Sequence, residues 1–350
     1  MLELSEWSVN IDDFDKQQLP REKIKFLLKF AILAPSTHNS QPWKFIINAD
    51  SCEIYNDTSI NIKEADPKGR DLYISFGCLV ENLHIAASYY GVFDKVNYSI
   101  NKRTNGVAVV HFKDLNGSKN VRNDSYRELL DAICKRITTR GIFKDTKVND
   151  QTIEDINKLN LFPELTTHLI SDSKQIEGLS KLTSQGLRIA YESKKFRKEM
   201  SQWFVTAISN RREGLPTYSL NMPFLLSLIF PTLVRFVNIG KKVSRLIYNT
   251  INSAPLVCII SSKGDDELIW LKTGQLAERI MLLTTSKGLK NSIFVASVEM
   301  GNLHKNVQKL IGTNEIPHFL FCIGYMDIST MPTPRQPLSQ KIISSSVATK

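Results

Sequence analysis

The sequence predicts an α+β protein of two related halves, each built around a long core helix, with a lid-like insertion. Three observations predict it. Helix-period and strand-like stretches alternate along most of the chain. Two helical stretches, Gly77-Cys-Leu-Val-Glu-Asn-Leu-His and Gly274-Gln-Leu-Ala-Glu-Arg-Ile-Met, align at an offset of 197 positions, with Gly77/Gly274, Leu79/Leu276, Glu81/Glu278 and Gly91/Gly288 identical. Glycine inside a helix costs about 1 kcal/mol relative to alanine, so its repetition points to two helices in close approach. Finally, residues 215–234 form an uncharged run that interrupts the second half.

The elements follow in order. Pro20 and Arg21 open a helix that runs to Ala34. Strands are expected over 43–48 and 52–55, with a turn between them. Asp66-Pro-Lys-Gly-Arg-Asp71 is a turn leading into a helix over 72–90, with Asp71 as N-cap or first-turn acid and Gly91 as the stop. Residues 95–100 and 106–112 read as a strand pair, and 113–122 as a polar linker. The second half opens with a helix over 126–136. Residues 154–159 and 173–191 are helical, 165–171 is a strand, and 180–208 is one long helix or two. Strands at 255–261, 291–296 and 318–325 alternate with helices at 267–288 and 303–311. The tail from 326 is rich in Pro and Ser. The halves are thus 1–122 and 123–350, with the insertion at about 200–252.

The uncharged run is long enough to span a bilayer. Pro216, Pro223 and Pro231 break its helical bonding, and in lipid the freed groups would need internal partners. It is read as an apolar cap over a site rather than a membrane span; an interfacial anchor is the weaker alternative.

Composition narrows the function classes. The 350 residues are 42% hydrophobic, enough for a sizeable core, and Gly and Pro are not enriched, so disorder is not expected. The net charge of +10 suits anionic ligands, but the densest basic cluster, Lys194, Lys195, Arg197 and Lys198, reads as a solvated helix face, and no nucleic-acid partner is expected. None of the five cysteines forms a Cys-x-x-Cys pair, and all but Cys52 lie in apolar or helical surroundings; they read as reduced thiols of a cytoplasmic protein. The six histidines lack metal-ligand spacing, so no metal is expected. The N-terminal residues have neither the basic region nor the apolar core of a signal peptide.

The chemistry-bearing stretch is Pro35-Ser36-Thr37-His38-Asn39-Ser40-Gln41-Pro42-Trp43. Prolines at both ends stiffen a polar loop between helix and strand, offering amide and hydroxyl groups to a planar polar ligand. His38 is read as a loop hydrogen-bonder, with acid–base work as the alternative. Trp43 is read as core packing beneath the loop. A second candidate is Arg136-x-Thr138-x-Arg140, whose guanidinium forks and hydroxyl suit a phosphate; the bland reading is a basic helix end.

Pro35-Ser36-x-x-Asn39-x-Gln41-Pro42-Trp43 resembles the flavin-contacting loop of the nitroreductase superfamily. Arg136-x-Thr138-x-Arg140 is similar to that family's Arg-x-Ser-x-Arg/Lys opening motif, with Thr138 in place of serine. Asp66-Pro-Lys-Gly-Arg-Asp-Leu72 and the helix at Trp270 are similar to stretches of its Acg-type, single-chain branch. The resemblance implies a pseudo-dimer around long central helices. It also implies FMN as cofactor, with Pro35, Ser36, Thr37 and Asn39 against the ring. Arg136, Thr138, Arg140 and, by its match to a C-terminal arginine, Arg335 would lie at the phosphate. The first half keeps the loop and the second the clamp, so one FMN per chain, built across the halves, is expected. Arg70 could reach the site or cap its own turn. The implied activity is reduction of a small electron acceptor, such as a nitroaromatic or quinone, with NAD(P)H as donor and no catalytic side chain required. The rival is an FMN store closed by its lid. The chain would be a monomer that could self-associate further.

Overall fold

The computed structural model describes residues 4–117, 121–220, 222–328 and 331–344. Pro20 starts α1 (Pro20–Ala31), where its fixed φ suits the first turn. The hairpin β1 (Trp43–Ile47) and β2 (Ser51–Asn56) precedes α2 (Arg70–Tyr89). A second hairpin, β3 (Phe93–Asn101) and β4 (Gly106–Phe112), completes the first half. The second half begins with α3 (Arg127–Ile133), α4 (Asp150–Asn157) and β5 (Leu165–Ile170). An insertion then runs through α5 (Ser173–Glu192), α6 (Lys194–Trp203), the two-residue strands β6 (Phe204–Val205) and β7 (Leu215–Pro216), α7 (Phe224–Phe236) and α8 (Gly240–Asn252). After it come β8 (Leu256–Ser262), α9 (Glu267–Ser286), β9 (Lys290–Ile293), α10 (Ala296–Glu299), α11 (Leu303–Ile311), β10 (Ile316–Gly324) and α12 (Leu338–Lys341).

The two sheets repeat one topology. Their strand orders are β1-β2-β4-β3 and β5-β8-β10-β9, and every neighbouring pair is antiparallel. In each, the first strand is followed along the chain by the second, a long helix, the third and the fourth. The long helices, α2 and α9, pack on each other. A methyl group placed on Gly77 would fall on the Leu271 carbonyl oxygen, and one on Gly274 would fall on that of Ile74. Ile74 and Leu271 stand at the same 197-residue offset as the glycines, so the contact is reciprocal. The cores are exchanged in the same way. Leu271 and Leu282 of α9 complete the first-half core, and Ile74 of α2 enters the second.

Two ion pairs lie buried beside this crossing. Arg279 pairs with Glu81, and Arg136 Nε lies 3.1 Å from Glu278 Oε1. The glutamates stand at equivalent positions of the repeat, yet their surroundings differ. Burial pushes both carboxyls up. Arg279 and His84 overcome it at Glu81 and hold that group at about 2, whereas Glu278, opposed by Arg136 but raised further by Glu81, rests at about 7.

Several local readings change. The stretch 180–208 holds two helices rather than one, because extended Ser193 ends α5 and its hydroxyl accepts from the Phe196 N–H at 3.2 Å to start α6, and helix stops at Trp203. Of the two readings of Asp71 the first-turn acid holds: Gly69 takes the N-cap position in the left-handed region, and Asp66 accepts the Leu72 N–H at 2.8 Å. Cys52 is as fully buried as Cys258 and Cys322. All five cysteines are unpaired, and among the described residues no cluster of His, Cys, Asp and Glu could hold a metal ion.

Gly77→Ala and Gly274→Ala should each cost about 1–3 kcal/mol or more, because the obstacle is backbone that cannot rotate away. Urea unfolding midpoints check this. A change below about 0.5 kcal/mol in both variants would contradict the close crossing.

Candidate functional site

The loop after α1 is held in a costly conformation. His38, Asn39 and Gln41 have φ of 52°, 55° and 53°, the left-handed region that non-glycine residues seldom occupy. Hydrogen bonds from several parts of the chain hold it there. Ser36 Oγ accepts from the Gln41 N–H at 2.9 Å, and Ser75 Oγ on α2 accepts from the Thr37 N–H at 3.2 Å. The insertion adds the Gly214 N–H donating to the Asn39 carbonyl at 3.3 Å, with Gln41 Nε2 donating to that of Arg212 at 2.9 Å. The C-terminal tail supplies Lys341 Nζ to the Gln41 carbonyl at 2.7 Å and Arg335 to Asn39 Oδ1 at 2.8 Å. Trp43 is fully buried below the loop.

Arg335 holds the turn between α1 and the loop. Its guanidinium donates to the carbonyls of Ile32 (2.9 Å), Leu33 (2.8 Å) and Ala34 (3.2 Å), which follow the helix, and to Thr333 Oγ1 at 2.7 Å. It also lies over the Trp7 ring, 4.8 Å from its centre. Every arm of the fork is engaged inside the protein. Burial and then the nearby Arg136 bring its pKa down to about 9, against the weaker pull of Glu278 and Tyr218. Asn39 is likewise committed, its amide donating to the Pro334 carbonyl at 3.1 Å.

The segment 136–140 runs beside the sheet edge of β9. Thr138 bridges to Asn291 in parallel, the Thr139 N–H donates to the Asn291 carbonyl at 2.9 Å, and Ser292 Oγ donates to the Thr139 carbonyl. Within this segment the side chains part company. Arg136 turns inward to Glu278 and reaches Thr138 Oγ1 at 3.4 Å. Arg140 is half-buried with neither an ion pair nor a hydrogen bond among the described residues, and burial lowers its pKa.

Arg140 lies near enough to the loop for its charge to act on His38, and the region they share is the candidate cleft. Burial and then the Arg140 charge hold His38 at about 4. The expected loop hydrogen bond is absent at His38 Nε2, which is buried without a partner. Tyr191, raised by burial to about 12 and opposed by Arg140, and Trp203, whose ring centre lies 6.2 Å from that of His38, contribute from α5 and α6. The structure thus brings Arg140, His38 and the loop together. Arg335 and Arg136 sit one layer deeper. Ser36 and Thr37 remain partly exposed at the rim, and Thr37 also borders a cavity of about 330 Å³ lined by Asn56, Asp66, Gly69 and Ser75. Arg70 turns away from the cleft: it donates to the Val298 carbonyl at 3.1 Å and lies 3.7 Å from Glu299, tying α2 to α10.

Tyr191 and Trp203 were not singled out in the sequence, where the only sign was an aromatic at the end of an ambiguous helical stretch. Ser75 was also missed; it lies one turn beyond Asp71, on the same face of α2. The apolar cap expected over 215–234 is displaced. The covering is done by residues around Trp203 and 212–214, whereas α7 turns most of its apolar side chains outward.

The depressed His38 has a pH consequence. The folded state disfavours its protonated form, so its contribution is complete above an unfolded value of about 6.5 and is lost as pH falls toward 4. The wild-type protein should therefore lose up to about 3 kcal/mol across that window relative to His38→Asn. Parallel stability–pH curves for the two proteins would contradict this placement.

A sequence profile of the Nitroreductase family matches residues 11–75, the stretch that contains α1 and the loop. A Mycobacterium tuberculosis protein provisionally named an NAD(P)H nitroreductase is 22% identical over 330 residues, covering 92% of this chain and 91% of its own. A second from that organism, provisionally named NAD(P)H nitroreductase acg, is 24% identical over 329 residues, covering 91% and 94%. The solved structure of the FMN-dependent nitroreductase NfnB from Mycobacterium smegmatis in complex with NADPH aligns at 15% identity with a TM-score of 0.41, over 63% of this chain and 100% of that one. The relatives match almost end to end, so the similarity runs through both halves, and together with the profile it supports the nitroreductase superfamily, Acg-type.

Proposed function

We propose that the chain is an FMN-binding oxidoreductase that takes electrons from NAD(P)H and passes them to a small electrophile such as a nitroaromatic or quinone. The observation that carries the reading is Arg140: a half-buried cation with no ion pair among the described residues, beside a strained polar loop. Such a charge is stabilised by an anionic ligand, and a phosphate suits a guanidinium fork. The relatives' names point to NAD(P)H and the nitroreductase class, and the aligned protein is described as FMN-dependent.

The donors present fit the group. Arg140 and the Thr138 hydroxyl would hold the phosphate. Ser36, Thr37 and the backbone of the 35–41 loop would lie along the ring, with the unpartnered His38 Nε2 offering one further hydrogen bond. Arg136 and Arg335 act from behind, as a charged floor fixed by Glu278 and by the carbonyls that follow α1. Bound FMN supplies the two-electron chemistry, and the side chains bind, orient and shield it. In this reading the halves, residues 1–122 and 123–350, arose by internal duplication and kept one composite site, the loop from one and the clamp from the other.

Arg140→Ala should weaken FMN binding by roughly 1.5–3 kcal/mol, the worth of a hydrogen bond to a charged group. Equilibrium dialysis measures it. Full FMN retention in this variant would remove the phosphate assignment.

A second reading, an FMN store with little turnover, is favoured by the way the insertion is bonded to the loop through Arg212 and Gly214 and set beside His38 through Trp203. Anaerobic titration separates the two. An oxidoreductase bleaches with NAD(P)H. A store bleaches with dithionite alone, and Trp203→Ala should then admit NAD(P)H. If that variant holds FMN and still resists NAD(P)H, occlusion by Trp203 is not the reason.

A further inference from the structure

Helix α7 is built the wrong way round for a helix that only packs on its own protein. Its buried residues are Ser227 and Val234, with Phe230 partly buried and set edge-on against Phe204 at 4.9 Å, a stripe at spacings of three and four. The opposite side exposes Phe224, Leu225, Leu226, Ile229 and Phe236, followed by Val237 and by Leu246 on α8. Leu225 is 77% and Phe236 is 72% exposed, so these are whole side chains in water, not edges of a core. No comparable cluster of exposed large apolar residues occurs elsewhere among the described residues. A contiguous apolar surface of this kind marks an interaction site.

The charge around it indicates which kind. From residue 215 to residue 264 the sequence has no Asp or Glu, while Arg235, Lys241, Lys242 and Arg245 are exposed within a dozen positions. The Arg235 guanidinium lies 5.4 Å from the centre of the Phe236 ring, which places a cation at the apolar margin. The packed neighbour α6 exposes Lys194, Lys195 and Lys198 as well. The nearest acids are on the packed neighbours, Glu192 and Glu199 beside the α6 lysines and Glu177 on α5, which is bonded to Lys181. An apolar face whose own segment is basic and free of acids is complementary to anionic headgroups over acyl chains.

We infer that the exposed face of α7, with the basic start of α8, seats the protein on the surface of an anionic lipid bilayer. It lies on the surface rather than crossing it. No single described helix is long and apolar enough to cross, and α7 and α8, of 13 residues each, are bent by 112° at their junction, against the roughly 20 residues a straight span needs. The inference is independent of the cleft and its ligand.

Flotation of the full chain with phosphatidylcholine vesicles, with and without phosphatidylglycerol, tests it. Binding is expected to the anionic vesicles only and to fall as salt rises. Lys241→Gln and Lys242→Gln should each weaken it about fivefold. Leu225→Ser combined with Ile229→Ser should abolish it at an unchanged melting temperature. Absence of wild-type binding at low salt, or undiminished binding of the serine variant, overturns the inference. Sedimentation of the same proteins closes the alternative. Self-association that the serine variant disperses, without vesicle binding, assigns the face to a second copy of the chain and overturns the lipid reading.

Discussion

The crossing of α2 and α9 is the constraint from which the rest follows. Side chains could not sit between helices this close, so glycine is needed on both, and the helices meet backbone to backbone. That approach leaves the polar residues flanking the contact shut away from water. A buried charge is tolerable only when paired, and here the partners come from across the crossing or from the following segment: Arg279 for Glu81, Arg136 for Glu278. Because Arg136 is drawn inward, the chain that follows is pinned along β9, and Arg140 is delivered to the cleft with its own charge uncompensated. The proposed ligand site is therefore a by-product of how the two halves interlock.

The crossing also makes near-equivalence visible and then breaks it. Two glutamates at the same repeat position have different surroundings: Arg279 and His84 hold Glu81 low, whereas burial and the Glu81 charge leave Glu278 raised despite Arg136. The same divergence runs through the connections. β1 and β2 are joined by a short hairpin, whereas the equivalent β5 and β8 are separated by α5 to α8. The first half contributes the polar loop before β1; the second contributes, between β5 and β8, residues that bond to it.

Much of this could be read before the fold was in hand. The paired glycines, the flanking glutamates and the two proline-bounded turns are local patterns, and local patterns survive in sequence. The cleft was legible at Arg140, Ser36 and Thr37, because a hydroxyl or guanidinium in a short motif declares its chemistry. Arg335 was not legible in the same way. Its partners, the carbonyls of Ile32 to Ala34, lie some 300 residues away, and a tail rich in Pro and Ser gives no periodicity to reveal them. The outward face of α7 was hidden for a different reason. A run with almost no polar residues has no polar side from which to tell its buried face.

The fork of Arg335 has a consequence for the order of events in the cell. The loop that shapes the cleft is made within the first 41 residues, but the groups that hold it in its left-handed conformation include Arg335 and Lys341. Until the tail is in place, the turn after α1 lacks the Arg335 fork and the loop lacks both bonds that the tail supplies. The cleft acquires its final form only after the tail has left the ribosome and threaded back. The shape of the loop is thereby tied to residues some 300 positions away, and a product stopped short of residue 335 would carry the motif without the bonds from Arg335 and Lys341 that hold it.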